Sequence, residues 1–297
     1  MKEKFLTLLV KITFAFFSIV PHTLIIFFGK FLGFFLQYIL RFKKRLVLDN
    51  LEIVYGDKSK WPKGIVRKIY RHFGILMLEM VKLPSIKGEN FTKRFHVKGN
   101  EFLDAALEKG KGAIVVTGHT GNWEYGIAGL TSFGYSMNVI VKKLKNIDND
   151  YVFEKIRGEK GVGFILKEKA VLNIRRALKK NKIVVMVIDQ NSKRSEGAFV
   201  EHFGKLASTY AAPYVLASRF KSPVLPIFCH RDENLYDHHI EVFPEIEHDS
   251  IEGDEEGTVN LNLRKYLESF EKFLLKHPEQ WIWMHRRWRT QPKKEGE

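Results

Sequence analysis

The sequence predicts an α/β fold, with a mixed, largely parallel sheet flanked by helices and an N-terminal hydrophobic membrane-anchor helix region. Two observations predict it. Beyond residue 95, short apolar runs rich in valine and isoleucine alternate with amphipathic stretches, as in sheets whose strands are connected by helices. Ahead of them, residues 5–40 contain no formal charges other than Lys11 and Lys30. We therefore expect a membrane anchor over residues 1–45 and an α/β domain over residues 46–297.

Periodicity places the individual elements. Apolar residues at helical spacing, such as Ile65, Ile69 and Phe73, predict helices at residues 63–81, 101–108, 123–130, 151–157, 171–178, 211–220 and 264–275. Short apolar runs predict strands at residues 95–97, 113–116, 138–141, 162–166, 183–188 and 224–228.

The anchor prediction rests on residues 12–29, which carry no formal charge. A helix needs about 20 apolar residues to cross a bilayer. Pro21 interrupts the run and is expected to bend or break the helix. The sequence leaves open whether the anchor is one tilted, kinked span or a re-entrant or interfacial pair of helices. Basic residues follow at once, and such residues tend to stay on the cytoplasmic side: Arg41, Lys43, Lys44 and Arg45.

The charge balance favours anionic partners without choosing among them. Lysine and arginine number 49 against 34 acidic residues, a net charge of +15. Such an excess suits nucleic acid, an anionic membrane, an acidic carrier protein or a phosphorylated substrate. Near the C-terminus, residues 281–289 alternate tryptophan with arginine. That pattern suits a membrane interface, a phosphate site, stacking on bases, or rings packed on the core with arginines at the surface.

The segment with the most chemical information is residues 112–126, GAIVVTGHTGNWEYG. A buried strand leads into a polar turn and then a helix, so His119 is expected at the carboxyl edge of the sheet, where active sites lie in open α/β folds. Glu124 falls in the first helical turns and can meet His119 if the histidine lies in the turn. A carboxylate that holds one imidazole nitrogen leaves the other as a base.

With these residues in view, the chain resembles the late, lauroyl/myristoyl-type lipid A biosynthesis acyltransferases of Gram-negative bacteria, within the lysophospholipid acyltransferase superfamily. The family carries a His-x4-Glu or His-x4-Asp motif, frequently as Gly-His-x-Gly-Asn-Trp-Glu. Matching residues are Gly118, His119, Gly121, Asn122, Trp123 and Glu124; Val187, Ile188, Asp189 and Gln190; Phe203, Gly204, Ala207 and Thr209; Pro223, Val224, Leu225, Pro226 and Arg231; and Gln280, Trp281, Trp283, His285, Arg286, Arg287 and Trp288. One departure is Lys142 and Lys143, where family members often carry an arginine.

The resemblance implies a role for each matched site residue. His119 is implied as the general base and Glu124 as its orienting partner. Arg157 and Asp189 are implied to position substrate or stabilise developing charge, and Gly121 and Asn122 to line the substrate site. No metal and no cofactor is implied.

The same resemblance implies the partners and the location. The donor is an acyl thioester of acyl carrier protein or coenzyme A, and the acceptor is a hydroxyl of a lipid A precursor. The protein is expected at the inner membrane, with its catalytic domain on the cytoplasmic face and no nucleic-acid partner.

Three alternatives stay open at this point. The acceptor can be another glycerolipid, glycolipid or aminolipid. A metal-dependent hydrolase is disfavoured because neither His-x3-His nor His-Glu-x2-His occurs. A non-enzymatic RNA- or membrane-binding protein explains the basic charge, but it leaves the polar turn at residues 118–124 without a purpose.

Overall fold

The computed structural model describes residues 2–86, 89–142 and 157–293. In this part of the chain the strands are β1 (Phe95–Lys98), β2 (Ala113–Thr117), β3 (Met137–Val141), β4 (Gly163–Leu166), β5 (Ile183–Val187), β6 (Gly197–His202), β7 (Lys205–Tyr210), β8 (Val224–Arg231) and β9 (His238–Val242). Seven form one sheet in the order β1-β9-β8-β2-β5-β3-β4. Only β8 and β9 pair antiparallel within it, so the predicted mixed, largely parallel sheet is confirmed.

Helices flank this sheet. The α-helices of the described chain are α1 (Lys2–Ile19), α2 (His22–Phe34), α3 (Lys44–Tyr55), α4 (Ile65–Lys82), α5 (Glu89–Thr92), α6 (Asn100–Glu108), α7 (Trp123–Ser132), α8 (Ala170–Lys179), α9 (Ala212–Phe220) and α10 (Glu255–Lys276). Every predicted strand, and every predicted helix within the described residues, has its counterpart here. Residues 151–156 of one predicted helix lie outside the described part of the chain.

The central strands are apolar throughout because both faces of the sheet are covered. In β2, Ile114 and Val116 belong to one hydrophobic cluster, while Ala113 and Val115 belong to the other. Side chains alternate between faces along a strand, so a strand buried on both sides reads as a continuous apolar run. The burial of all five β2 residues is the result.

Several elements were not predicted. The β6–β7 hairpin turns through Phe203 and Gly204, which both adopt positive φ, at 52° and 72°. Two consecutive positive φ values form the turn that matches the twist of a hairpin, and asparagine or glycine normally marks the first position. A phenylalanine there carries no such signal. β9 begins with two histidines, and α3 begins within the run of basic residues at positions 41–45, so neither offered a clear periodicity.

The N-terminal helices break at Pro21, as the sequence predicts. α2 then lies against α4 by close backbone contact. A β-carbon added to Gly29 would meet the Cα of Ile75 at 2.6 Å, and one added to Gly33 would meet the carbonyl carbon of Tyr70 at 2.8 Å. Small residues at such positions let two helices approach closely.

The opposite face of α2 is apolar and exposed. Phe27 and Phe31 are each 62% exposed, and Phe28 and Phe34 are more than half exposed. The helix from His22 to Ile39, including a π-helical end at Phe35–Ile39, is long and apolar enough to cross a membrane, with 28% of its residues buried against the protein. This region fits a membrane anchor that is also docked on the domain.

Candidate active site

His119 and Asp189 meet because β2 and β5 are neighbours in register. Thr117 lies opposite Val187 at the ends of the two parallel strands. Each site residue follows two positions later, so both reach the same edge of the sheet. His119 Nδ1 lies 2.7 Å from Asp189 Oδ1, and the indole N–H of Trp281 donates to the other Asp189 oxygen at 2.7 Å. The Asp189 side chain is fully buried, whereas that of His119 is 21% exposed.

The two groups shift each other's pKa in opposite directions. Burial alone lowers the pKa of His119, but the charge and hydrogen bond of Asp189, with a contribution from Glu124, outweigh it and raise the pKa above its usual 6.5. Burial also opposes ionisation of Asp189, yet His119 and Trp281 bring its pKa down to about 2. Asp189 is therefore a carboxylate, and it holds a proton on His119 Nδ1.

Glu124 has a different partner from the one that the sequence predicted. Arg157 donates from Nε and Nη2 to the two carboxylate oxygens of Glu124, at 2.9 and 2.5 Å. This fork geometry is the strong, planar form of an arginine–carboxylate pair. Glu124 therefore acts on His119 through its charge, and the hydrogen bond that orients the imidazole comes from Asp189 instead. Arg157, which the resemblance linked to positioning of substrate or to stabilisation of developing charge, lies directly against Glu124.

Gly121 and Asn122 shape the turn itself. Gly121 adopts φ +55°, and a β-carbon there would meet the Cα of His230 at 2.8 Å, so only glycine fits. The Asn122 side chain caps α7 by accepting from the Tyr125 N–H, and it is fully buried. Contact of these two residues with a substrate stays a prediction.

A buried ion pair, which was not assigned a role from the sequence, holds the turn at residues 118–122 through Asn122. Glu79 on α4 pairs with Arg231 at the end of β8, and Asn122 Nδ2 donates to the same carboxylate at 2.9 Å. Burial opposes ionisation of Glu79, but Arg231 keeps its pKa below the usual value. His22 on α2 also contacts Glu79, at 3.1 Å, so α2 touches the network that holds the turn at residues 118–122. Sequence spacing gave no signal for these distant contacts.

His72 fixes the turn at a second point. Its Nε2 lies 3.1 Å from the carbonyl oxygen of Gly121, and burial with the nearby Arg231 lowers its pKa to about 3. The imidazole is therefore neutral, and its Nε2–H donates to that carbonyl.

The C-terminal tryptophans belong to the core. Trp281 and Trp283 are 2% and 0% exposed, and Trp288 is also buried. They are therefore not available to a membrane interface or to bases. Arg287 is buried as well, and it donates to the carbonyl oxygen of Ser208 and the hydroxyl of Thr209 on β7. Its neighbours Arg286 and Arg289 are exposed.

A basic cavity borders the C-terminal segment at residues 284–290. It has a volume of about 1090 Å³ and is lined by Arg41, Lys43, Lys44, Arg45, Leu46, Asp49, Asn191, Lys193, Tyr210, Met284, His285, Arg286, Arg289 and Thr290. Six of these are arginines or lysines from the two ends of the chain, and Lys193 adds a seventh cation. His285 lines this cavity and lies close enough to Asp189 and His119 for their charges to act on its pKa, so the cavity borders the His119–Asp189 pair. The cavity suits an anionic group such as a phosphate.

A second cavity is apolar and much smaller. It lies between α7 and the sheet, with Trp123, Ile127 and Met137 among its walls, and has a volume of about 20 Å³. That space accommodates about one water-sized group. An acyl chain would require α7 or Trp123 to move.

Comparison with known proteins identifies the class of enzyme. The chain is 23% identical to the lipid A biosynthesis palmitoleoyltransferase of Escherichia coli (strain K12), over 92% of this chain and 87% of that protein. It is 22% identical to the phosphatidylinositol mannoside acyltransferase of Mycobacterium tuberculosis (strain ATCC 25618 / H37Rv), over 80% and 75%. A lipid A biosynthesis acyltransferase of Haemophilus influenzae is 21% identical, over 78% and 70%. With its fold and its polar strand-end site, the protein is an α/β acyltransferase.

The particular family follows from the whole length of the chain. The sequence profile of the family described as bacterial lipid A biosynthesis acyltransferase matches residues 1–290, and the chain belongs to that family. The resemblance stated on the basis of residues 118–124 and the later motifs is thereby confirmed.

Proposed function

We propose that the protein transfers a fatty acyl chain from a thioester, on acyl carrier protein or coenzyme A, to a hydroxyl of a lipid A precursor, with His119 as general base. The observation that carries this proposal is the His119–Asp189 pair at the ends of β2 and β5. Asp189 occupies Nδ1, and among the described residues no hydrogen-bond partner occupies Nε2. A neutral imidazole held this way has a free Nε2 lone pair directed away from its carboxylate.

The reaction needs no protein nucleophile because a thioester is already activated. Nε2 takes the proton of the acceptor hydroxyl while the hydroxyl oxygen attacks the thioester carbonyl carbon. The tetrahedral intermediate collapses, the carbon–sulfur bond breaks, and the Nε2 proton passes to the departing thiolate. Asp189 stays ionised and stabilises the imidazolium that forms between the two steps.

Glu124 and Arg157 serve the site as a pair. The buried Glu124 carboxylate neutralises Arg157 and fixes the position of its guanidinium near the start of α7. Glu124 also favours the protonated state of His119 through its charge. In this proposal Glu124 is a positioning residue, and Arg157 faces the negative charge that develops on the thioester oxygen or on the donor's phosphate.

The basic cavity supports the proposal that the substrates are anionic. Both the phosphates of a lipid A precursor and an acidic carrier protein complement the cations that line it. Binding through such charges weakens as salt increases. Lys142 keeps the charge of the arginine usual in the family, without its fork geometry.

The N-terminal helices support a proposed membrane arrangement. Residues 1–45 would anchor the chain, and residues 46–297 would form the catalytic domain on the cytoplasmic face of the inner membrane. The exposed phenylalanines of α2 support contact with lipid, and the basic cluster at residues 41–45 supports the cytoplasmic side. A bilayer-embedded acceptor then lies close to the catalytic turn, because His22 on α2 contacts the network beneath it.

Mass spectrometry of lipids from cells with and without the gene tests this function. We expect one acyl chain to be missing from lipid A in the deletion strain. The wild-type gene should restore it, and a gene carrying His119→Ala should not. Lipid A of unchanged mass in the deletion strain contradicts the proposed acceptor.

A second acceptor class is supported by one observation. Relatives named phosphatidylinositol mannoside acyltransferases match 80% of the chain at 22% and 21% identity, nearly as similar as the lipid A enzymes. The alternative is therefore a different membrane glycolipid, or another glycerolipid or aminolipid, with the same base and the same donor chemistry. In the same experiment, loss of mass from another lipid, with lipid A unchanged, selects it.

A further inference from the structure

Outside the catalytic turn, four histidines form a row across one face of the sheet. His96 on β1 lies beside His239 on β9, which lies opposite His230 on β8. Their rings stack with centroids 5.0 and 4.7 Å apart. His277, directly after α10, continues the row by stacking on His230 at 3.8 Å. None of the four was assigned a role in the sequence analysis.

One end of this row brings three metal-ligating atoms together. Glu241 Oε1 lies 3.3 Å from His230 Nε2 and 3.9 Å from His277 Nε2. All three ligand atoms lie within 4.8 Å of one another. The three side chains are only 14–19% exposed, so the group is recessed and still open to an ion.

We propose that His230, Glu241 and His277 form a binding site for a divalent transition-metal ion of the zinc type. Zinc takes imidazole nitrogen and carboxylate oxygen at about 2.0–2.1 Å in tetrahedral geometry, which puts neighbouring ligand atoms about 3.3 Å apart. The His230–Glu241 distance already has this value. His277 Nε2 lies 3.9 Å from Glu241, so its side chain would have to move closer on binding. Two histidines and one carboxylate leave the fourth position to water.

The state of His277 supports this assignment. Its Nε2 is shielded from solvent and has no hydrogen-bond partner, although it points toward Glu241. A buried polar atom without a partner is unfavourable, and an ion bridging it to the carboxylate would supply that partner. Lys276 is the competing cation, 3.7 Å from Glu241, but its side chain is 66% exposed and can turn into solvent.

The site would connect three elements close to the catalytic turn. His230 and Glu241 belong to β8 and β9, and His277 ends α10. Three residues beyond His277, the carbonyl of Gln280 accepts from the Gly121 N–H, and its side chain exchanges hydrogen bonds with the Arg231 backbone. A bound ion would therefore clamp the end of α10 to the strands behind the turn. Its role is structural, and no step of acyl transfer passes through it.

Zinc titration of the purified, chelator-treated full chain in detergent tests the site. We expect about one zinc ion per chain by calorimetry and a rise of the thermal midpoint by about 5 °C or more at saturation, whereas Mg²⁺, which prefers oxygen ligands, has no such effect. Glu241→Gln and His277→Gln should bind zinc at least tenfold more weakly. His96→Ala, in the same row but outside the ligand group, should bind as the wild type does. Absence of zinc binding, or equal binding by all four proteins, overturns the proposal.

A second measurement uses the wild-type protein alone, so it tests the site even if the variants fail to fold. In the wild-type protein, zinc should protect His230 and His277 from acylation by diethyl pyrocarbonate, read residue by residue by mass spectrometry, while His96 and His248 stay reactive. Protection of other histidines, or of none, contradicts the site independently of any substitution.

Discussion

His119 Nδ1 lies 2.7 Å from a carboxylate oxygen of Asp189, which is 70 positions further along the chain. Its hydrogen-bond partner is therefore Asp189 and not Glu124, which is only five positions away. The pair exists because β2 and β5 are adjacent parallel strands that end together. Asp189 in turn accepts a hydrogen bond from the Trp281 N–H, so a residue near the C-terminus helps to position the proposed base.

The first prediction concerns the pH dependence of Asp189→Asn. Catalysis requires the neutral imidazole, so the wild-type rate should rise with pH through the raised pKa of His119. Removing the Asp189 charge leaves burial as the main influence, which lowers that pKa. The acidic limb of the rate profile should therefore move to lower pH, and the maximal rate should fall about 10²-fold because the ring loses its orientation.

Glu124→Gln is the matched control for that profile. Glu124 contributes least among the causes that act on the pKa of His119, so the acidic limb should move less than in Asp189→Asn. A limb that moves further in Glu124→Gln than in Asp189→Asn would show that Glu124, and not Asp189, governs the base.

The second prediction concerns the buried Glu79–Arg231 pair. Glu79→Gln leaves the Arg231 charge buried without its partner, and we expect a loss of about 3–5 kcal/mol in the free energy of unfolding. The double variant Glu79→Leu with Arg231→Met should be less destabilised than the single one. The exposed pair of Lys109 and Glu245 is the control, where Glu245→Gln should cost no more than about 1 kcal/mol. Equal effects at the two pairs in thermal unfolding would contradict this role.

The third prediction separates two neighbouring arginines. Arg287 is fully buried and donates to Ser208, Thr209 and His202, so Arg287→Lys loses a fork of charged hydrogen bonds and should cost about 2–3 kcal/mol. Arg286→Lys, on the exposed side, should change stability by less than about 0.5 kcal/mol. Thermal midpoints of the two variants, measured side by side, test this difference. Equal midpoints would contradict it.

The fourth prediction concerns the outer face of α2. Phe27 and Phe31 are each 62% exposed, and burying one such ring in lipid contributes about 1.5–3 kcal/mol. Replacing both with serine should lower binding to anionic lipid vesicles at least about tenfold. The double variant Phe102→Ser with Phe133→Ser, exposed rings on the catalytic domain, should bind vesicles as the wild type does. Equal loss in both variants means that α2 is not the membrane contact.

Local patterns predicted β1–β5, β8, most of the helices and the position of His119 at a strand end, but not the β6–β7 hairpin, β9 or α3. The alternation of apolar runs identified the strands, and the glycine-rich turn placed His119 at a strand end. The hydrogen-bond partner of His119 could not be predicted from the sequence, because it depends on which strands are neighbours and on their register. Glu124 was the carboxylate nearest to His119 in sequence. In the folded protein, however, Glu124 pairs with Arg157, and His119 pairs with Asp189 just beyond the end of β5. Likewise, nothing in the run from His285 to Arg289 distinguishes the buried Arg287 from its exposed neighbours.

The most direct test is the turnover of His119→Ala in an acyl-transfer assay with a thioester donor and membrane-embedded acceptor. Loss of the general base should lower turnover by about 10²- to 10⁴-fold while the thermal midpoint stays close to that of the wild type. His248→Ala, an exposed histidine remote from the turn in sequence, should keep full activity. A correctly folded His119→Ala protein with wild-type turnover would contradict the assignment of His119 as the base.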